Sequence, residues 1–263
     1  MRHLPLFPEE PRPLLFAHRG YSARAPENTL SAFREASRAG IPGVELDIHR
    51  CATGELVVAH DSDLFRVTGE HAEIETAPLS RIRELDAAVS FRRKTQSQIA
   101  AEPAPLLSEL FDQFGARFYY DIEIKHYTDK PGTVELALSE LIGRFGLDAR
   151  CMVSSFDPFA VRRFKQLNPR IPTAIIYCDD PELPFWLRRG GGRYISSCDV
   201  MKPKDASVTA RLLRRRIVAP RLPVVSWTVD SVETAIALVR RGTDGVISND
   251  PAPILAAFRT MAE

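Results

Sequence analysis

Strand and helix signals alternate along nearly the whole chain, and that order restricts the fold more than any other property of the sequence. The apolar run Leu14-Leu15-Phe16-Ala17 ends at His18. A helical pattern follows over 29–39, with Asn28 or Thr29 as cap, Leu30, Phe33 and Ala36 on one face, and Gly40 as stop. Residues 43–49 alternate strictly, with Val44, Leu46 and Ile48 on one side and Glu45, Asp47 and His49 on the other. The pattern then repeats as a helix at 106–114, an alternating strand at 118–125, a helix at 134–145 closed by Gly146, and a strand at 151–155. Asp157-Pro158 supplies a cap and a first-turn proline for the next helix. Weaker strands are predicted at 173–177 and 194–197, and a stronger one at 224–228. A helix opened by the capping-box-like Asp230-x-x-Glu233, a last strand at 245–248 and a helix opened by Asp250-Pro251 complete the series.

Eight strands alternating with helices imply a parallel sheet. In 263 residues they favour closure into an α/β (β/α)8 TIM-like barrel over an open doubly wound sheet. No Gly-rich dinucleotide fingerprint follows the first strand, which argues further against the open form. Two segments stand outside the repeat. Residues 56–60 are strand-like but come too soon after the second strand for a helical crossover, so they are predicted to fold back as a β-hairpin. A turn at Thr53-Gly54 would put His60 opposite Asp47. Residues 62–104, of mixed polarity, are predicted to be a small insertion on a single barrel domain spanning 1–263.

A net charge of +1 excludes the strong basic excess of dedicated nucleic-acid binders. The four cysteines are dispersed, with no C-x-x-C pair, and read as reduced thiols. The proline-broken start MRHLPLFPEEPRP has no apolar core of a secretory signal, and no stretch approaches the ~20 apolar residues of a membrane span. The expected location is the cytoplasm. The run Arg214-Arg215-Arg216 reads as a solvated helix face, and His49, His71 and His126 have no partners that the sequence identifies.

Glu45 and Asp47, at i and i+2 on one strand, lie ~7 Å apart on the same face, within reach of one hard cation. Glu123 and Lys125 repeat the geometry on the next barrel strand. Three carboxylates facing each other at a rim repel unless a divalent cation neutralises them, which favours a metal site over an ordinary ion-paired surface. His18 closes the first strand, and the hairpin brings His60 to the same cluster. Two imidazoles beside a metal suit general acid–base work near neutral pH. Arg19 and Lys125 are cations able to hold a phosphate, Arg19 by its fork and Lys125 as a point charge, and equally able to balance the carboxylates. Trp227, ending a strand, is open to two readings: stacking on substrate, or core.

His18-Arg19-Gly20, Pro26-Glu27-Asn28-Thr29-Leu30, Glu45-Leu46-Asp47, His60-Asp61, Glu123-Ile124-Lys125, Ser154-Ser155-Phe156-Asp157, Ser226-Trp227-Thr228-Val229 and Asp244-Gly245-Val246-Ile247-Ser248 occur in an order that resembles the glycerophosphodiester phosphodiesterase family. The resemblance covers nearly the whole chain. It implies a TIM-barrel-like fold with an insertion after His60, and a calcium or magnesium ion (manganese being possible too) on Glu45, Asp47 and Glu123. It further implies His18 and His60 as the acid–base pair, Arg19 and Lys125 on the phosphate, and Glu27 in support. The implied reaction releases sn-glycerol 3-phosphate and an alcohol through a cyclic phosphate, from a small-molecule diester. One alternative is a lysophospholipase D or sphingomyelinase-D-like enzyme using an apolar groove, for which Leu64, Phe65, Phe185 and Trp186 are candidates. A phosphate-binding barrel without catalysis is the other. Detergent-dependent turnover of lysolipids, or absence of turnover, separates these. The oligomeric state is not legible in the sequence.

Overall fold

The computed structural model describes residues 6–7, 13–125, 131–181, 183–209 and 222–262. Eight parallel strands form the barrel: β1 (Leu14–His18), β2 (Gly43–Arg50), β4 (Tyr119–Ile124), β5 (Cys151–Ser155), β6 (Thr173–Tyr177), β7 (Val200–Pro203), β8 (Val225–Ser226) and β9 (Gly245–Ser248). They neighbour one another in the order β7-β6-β5-β4-β2-β1-β9-β8. Parallel bridges from Met201 to Val224 and from Lys204 to Trp227 join β7 to β8 and complete the circuit. The intervening α1 (Leu30–Arg38), α5 (Leu107–Phe114), α6 (Thr133–Phe145), α7 (Pro158–Leu167), α9 (Val232–Arg240) and α10 (Pro251–Ala262) lie outside. Alternation along each strand divides the apolar residues. Val44, Leu46 and Ile48 pack outward in one core with Phe33, Phe111 and Phe164, whereas Phe16, Tyr119, Met152, Val200 and Ile247 fill the lumen with Phe7. The predicted TIM-like barrel is therefore the observed fold.

Local signals explain the helix starts. Thr29 caps α1, its hydroxyl accepting from Ala32 N–H at 3.3 Å, and Asp157 caps α7, accepting from Phe159 N–H at 2.8 Å. The expected Asp230–Glu233 box is displaced by one residue. Ser231 is the cap of α9, accepting from Thr234 N–H at 3.3 Å, because Asp230 is engaged by Asn249 and Ser248 across the barrel rim.

The strand expected at 194–197 is corrected: Arg193–Ser196 forms the short helix α8, and the seventh strand is Val200–Pro203. Val200 faces the lumen, but the next lumen-facing position is taken by Lys202 and the strand ends in a proline, so it lacks the apolar alternation by which strands are recognised.

The hairpin forms, but one residue out of the expected register. β3 (Leu56–Val58) pairs Val58 with Ile48 and Leu56 with Arg50. Ala59 N–H donates to Asp47 O at 3.0 Å, so Ala59 and not His60 stands across from Asp47. The cause is a three-residue loop, Ala52-Thr53-Gly54, closed by Cys51 N–H to Glu55 O at 3.0 Å, with Gly54 at φ +108°. Residues 62–104 hold three short helices, α2 (Phe65–Thr68), α3 (Leu79–Glu84) and α4 (Val89–Thr95). Leu64, Ile74, Ile82 and Leu85 cluster there against Val57 of β3.

Among the described residues, no helix is long and apolar enough to cross a membrane. The four cysteines are free thiols. His126 and Arg214 to Arg216 lie outside the described residues.

Candidate active site

The lumen changes character towards the C-terminal ends of the strands, where barrel enzymes place their chemistry. Above the apolar layer come Glu45, Asp47, Asp121, Glu123, Lys125 and Lys202, all buried. Of these, Glu45, Glu123, Lys125 and Lys202 line a cavity of about 140 Å³ whose wall also includes His18, Arg19, His60, Phe156 and Trp227. One ligand oxygen from each of Glu45, Asp47 and Glu123 falls within 4.8 Å of the other two.

The cluster is unevenly neutralised. Lys125 Nζ lies 3.1 Å from Asp47 Oδ1 and 2.5 Å from Glu123 Oε1. Burial would raise the Asp47 carboxyl, but Lys125 and Arg19 outweigh it and hold Asp47 below the usual carboxylate range. Burial would lower Lys125, and Asp47 and Glu123 instead raise it. Glu45 is pushed well above its ordinary value by burial and then by the charge of Asp47. Its Oε2 accepts from Arg19 N–H at 3.1 Å and stands 3.8 Å from His18 Nε2. A hard divalent cation fits this donor set: three oxygen ligands, no soft atom, and one carboxylate left short of positive charge.

The two histidines arrive by different routes. His18 closes β1, and its Nδ1 meets Asn249 Oδ1 at 2.7 Å. Asn249 Nδ2 donates to Asp230 Oδ2 at 2.8 Å, which fixes Oδ1 as an acceptor. His18 therefore carries its proton on Nδ1 and turns a bare Nε2 towards the cavity. Burial, and next the charge of Arg19, lower its pKa to about 4. His60 lies beyond the end of β3, so the one-residue slip does not turn it away. Its Nδ1 donates to Asp61 Oδ1 at 2.6 Å, and its ring lines the cavity.

A strained turn presents Arg19. Arg19, Gly20 and Asn28 have φ of +54°, +75° and +56°. A Cβ on Gly20 would meet Ala32 Cβ at 2.7 Å, so this position requires glycine. Arg19 Nη1 donates to Glu27 Oε1 at 2.8 Å and its Nε lies 3.4 Å from Asp47 Oδ2. Trp227 stands on the cavity wall, its Nε1 donating to Lys202 O at 2.9 Å and its ring set edge-on to Phe156.

The residues given site roles in the sequence, His18, Arg19, Glu27, Glu45, Asp47, His60, Glu123, Lys125 and Trp227, thus line this cavity or contact residues that do. Sequence reasoning missed Asp61, Asn249 and Lys202, and it treated Asn28 only as a cap although its Nδ2 donates to Asp47 Oδ2 at 2.9 Å. Asp61 had a signal in its position beside His60, and Lys202 had one as a lone charge between Met201 and Pro203. Lys202 Nζ binds Asp121 Oδ2 at 2.8 Å and Ser154 Oγ at 3.0 Å. His49 and His71 have structural surroundings: His49 Nε2 is 3.2 Å from His60 O, and His71 stacks on Phe65 and pairs with Asp63. Of the four residues offered for an apolar groove, Leu64 is buried in the insertion. Trp186 instead walls a cleft of about 330 Å³ that runs from Lys125 past Phe156 to Phe159 and Leu187.

The model of the glycerophosphoryl diester phosphodiesterase family matches residues 18–252. A glycerophosphodiester phosphodiesterase of Caldanaerobacter subterraneus subsp. tengcongensis is 29% identical over 247 residues, covering 94% of this chain and 98% of its own. Among solved structures, an Oleispira antarctica phosphodiesterase in complex with the product sn-glycerol-3-phosphate superposes with a TM-score of 0.81 at 26% identity, covering 94% of this chain and 97% of its own. A protein of Silicibacter pomeroyi DSS-3 superposes with a TM-score of 0.84 at 23% identity, covering 96% and 95%, a likeness of fold.

Proposed function

Because the chain belongs to the glycerophosphoryl diester phosphodiesterase family, a family of enzymes, we propose that it hydrolyses small glycerophosphodiesters to sn-glycerol 3-phosphate and an alcohol by metal-dependent histidine acid–base catalysis. The observation that carries this reading is the convergence of His18, His60, two cations and the Glu45–Asp47–Glu123 triad on one cavity. The product bound to the Oleispira antarctica relative agrees with the proposed product here.

Arg19 and Lys125 hold the phosphodiester. Arg19 offers its guanidinium from a turn braced by Glu27, and Lys125 offers an ammonium that its carboxylates keep charged. Glu45, Asp47 and Glu123 would hold the divalent cation, calcium or magnesium, which when bound supplies charge neutralisation at the phosphoryl group and acidifies a nearby hydroxyl. His18 Nε2, neutral and bare, takes the proton of the substrate's own 2-hydroxyl as that oxygen attacks phosphorus. His60, steadied at Nδ1 by Asp61, delivers a proton to the departing alcohol oxygen as its bond to phosphorus breaks. Water then opens the cyclic phosphate with the two roles reversed. Trp227 closes one side of the cavity against solvent and offers a ring face or edge to the substrate.

The cytoplasm is the compartment proposed, with no macromolecular partner needed for this chemistry. A second reading, turnover of lysolipids, is favoured by the apolar walls of the Trp186–Phe159 cleft beside Lys125. Phosphorus NMR with glycerophosphocholine and lysophosphatidylcholine, with and without added calcium or magnesium, tests both readings. His18→Ala and His60→Ala should each cost at least ~10²-fold in turnover. The double variant should lose much less than the product of the two. Wild-type turnover in both single variants would sink the acid–base assignment.

A further inference from the structure

The insertion touches the catalytic centre through one side chain that the mechanism above does not use. Arg66, on α2, donates from Nη2 to Glu27 Oε1 at 2.6 Å and from Nη1 to Glu27 Oε2 at 3.0 Å. Its Nε donates to Asp61 Oδ2. Each of these carboxylates spends its remaining capacity on a residue of the cavity wall. Glu27 accepts from Arg19 at 2.8 Å, and Asp61 accepts from His60 at 2.6 Å.

We infer that Arg66 is a positioning residue that fixes the proposed phosphate-binding Arg19 and the proposed proton donor His60 relative to each other. The guanidinium is planar and its N–H vectors are rigidly related. Two of its edges are occupied by two different carboxylates, so one side chain sets the spacing and orientation of both. Arg19 belongs to the turn after β1, and His60 follows the hairpin that extends β2. Alternation within a strand cannot align them, because neither lies inside one. The register of β3 makes the need concrete: it places Ala59, not His60, across from Asp47, so the direction of the His60 ring depends on Asp61. A reaction in which the phosphoryl group and the leaving oxygen must be met together loses rate steeply when those two groups drift apart.

The bland alternative is a surface ion pair. Arg66 is 47% exposed, and exposed pairs contribute little to stability. The two roles differ in what they perturb. A merely structural pair would leave turnover untouched whatever it did to the denaturation midpoint, whereas a positioning residue lowers turnover with the midpoint unchanged.

The inference rests on the roles proposed for Arg19 and His60, so Arg19→Ala and His60→Ala are measured alongside. The assay follows hydrolysis of glycerophosphocholine by full-length protein with saturating calcium or magnesium, with denaturation midpoints recorded for every variant. Arg66→Ala is expected to lower kcat/KM at least tenfold with an unchanged midpoint. Added guanidinium at millimolar concentration should recover part of the loss, because it can reoccupy the fork between Glu27 and Asp61. Arg66→Lys should recover little, since one ammonium cannot serve both carboxylates in the same plane. In the His60→Ala background the Arg66→Ala loss should shrink to less than threefold. Arg66→Ala within twofold of wild type would overturn the inference while the Arg19 and His60 variants remain impaired. So would a loss matched by a fall in midpoint and insensitive to guanidinium in both Arg66 variants. Silent Arg19→Ala and His60→Ala variants would instead remove the reading on which it stands.

Discussion

Replacing Lys202 by Met should cost more stability than any surface change, and the structure sets the size of the loss. Lys202 and Asp121 are 1% and 0% exposed, and their charged atoms stand 2.8 Å apart. At an effective dielectric of 20 their gross attraction is ~6 kcal/mol. The desolvation of both ions offsets much of this, so the pair itself contributes modestly. Removing one partner is a different matter: the other is left buried and charged, at a cost of ~3–5 kcal/mol. In Lys202→Met, Asp121 retains only the Ser154 hydroxyl, which donates to Oδ1 at 2.8 Å. Adding Asp121→Asn removes the stranded charge while keeping an acceptor for Ser154. Denaturant titration in excess chelator, which keeps bound cation out of the comparison, should therefore show each single variant down by ~3–5 kcal/mol. The double variant should fall short of their sum by at least ~2 kcal/mol. Single losses below ~1 kcal/mol, or a double variant additive within ~0.5 kcal/mol, would show that the barrel interior does not treat these groups as a desolvated pair.

Exhaustive chelation should abolish hydrolysis, and calcium, magnesium or manganese should restore it. Glu45→Ala, Asp47→Ala and Glu123→Ala should each weaken cation binding by calorimetry, and unchanged affinity in all three would move the site elsewhere. An acid-dependent share of stability is expected from Glu27 and Asp61. Burial raises both carboxyls, but Arg66 and Arg19 at Glu27, and His60 and Arg66 at Asp61, outweigh it and lower them. Their contribution is then complete above the unfolded value of ~4 and is lost as pH falls through the lowered folded values. Glu27→Gln combined with Asp61→Asn should flatten the acid limb of Tm against pH, and an identical limb would contradict this assignment.

The barrel was legible because helix caps and two-residue alternation are local, and they were strong at β1, β2, β4 and β5. It was least legible at β7, where the lumen demands Lys202 and the pattern of a buried strand is interrupted. The triad could be read because Glu45, Asp47 and Glu123 occupy one parity of two neighbouring strands, paired so that Asp47 faces Glu123. The placement of His60 was reached through a register that is wrong by one residue, since loop length at Gly54 decides pairing and the sequence there admits two- and three-residue turns. Asn249 escaped because its contact to His18 spans the whole chain and no spacing rule marks it, whereas Asp61 was marked only by its place beside His60.

The contact between His18 and Asn249 joins residues 231 positions apart, and it sits on the seam where β1 meets β9. The first barrel strand has β2 on one flank, and its other flank stays open until the last barrel strand has been synthesised. A chain still attached to the ribosome beyond β8 therefore holds Arg19 and the triad residues with an imidazole that has no acceptor at Nδ1. It also exposes a bare edge of Leu14 to Ala17 to other chains. Closure of the sheet and alignment of the proposed base are one event. The geometry proposed for proton transfer is thus set only once the final barrel strand is in place, and a fragment lacking that strand forfeits both the cover on that edge and the acceptor that sets the tautomer of His18.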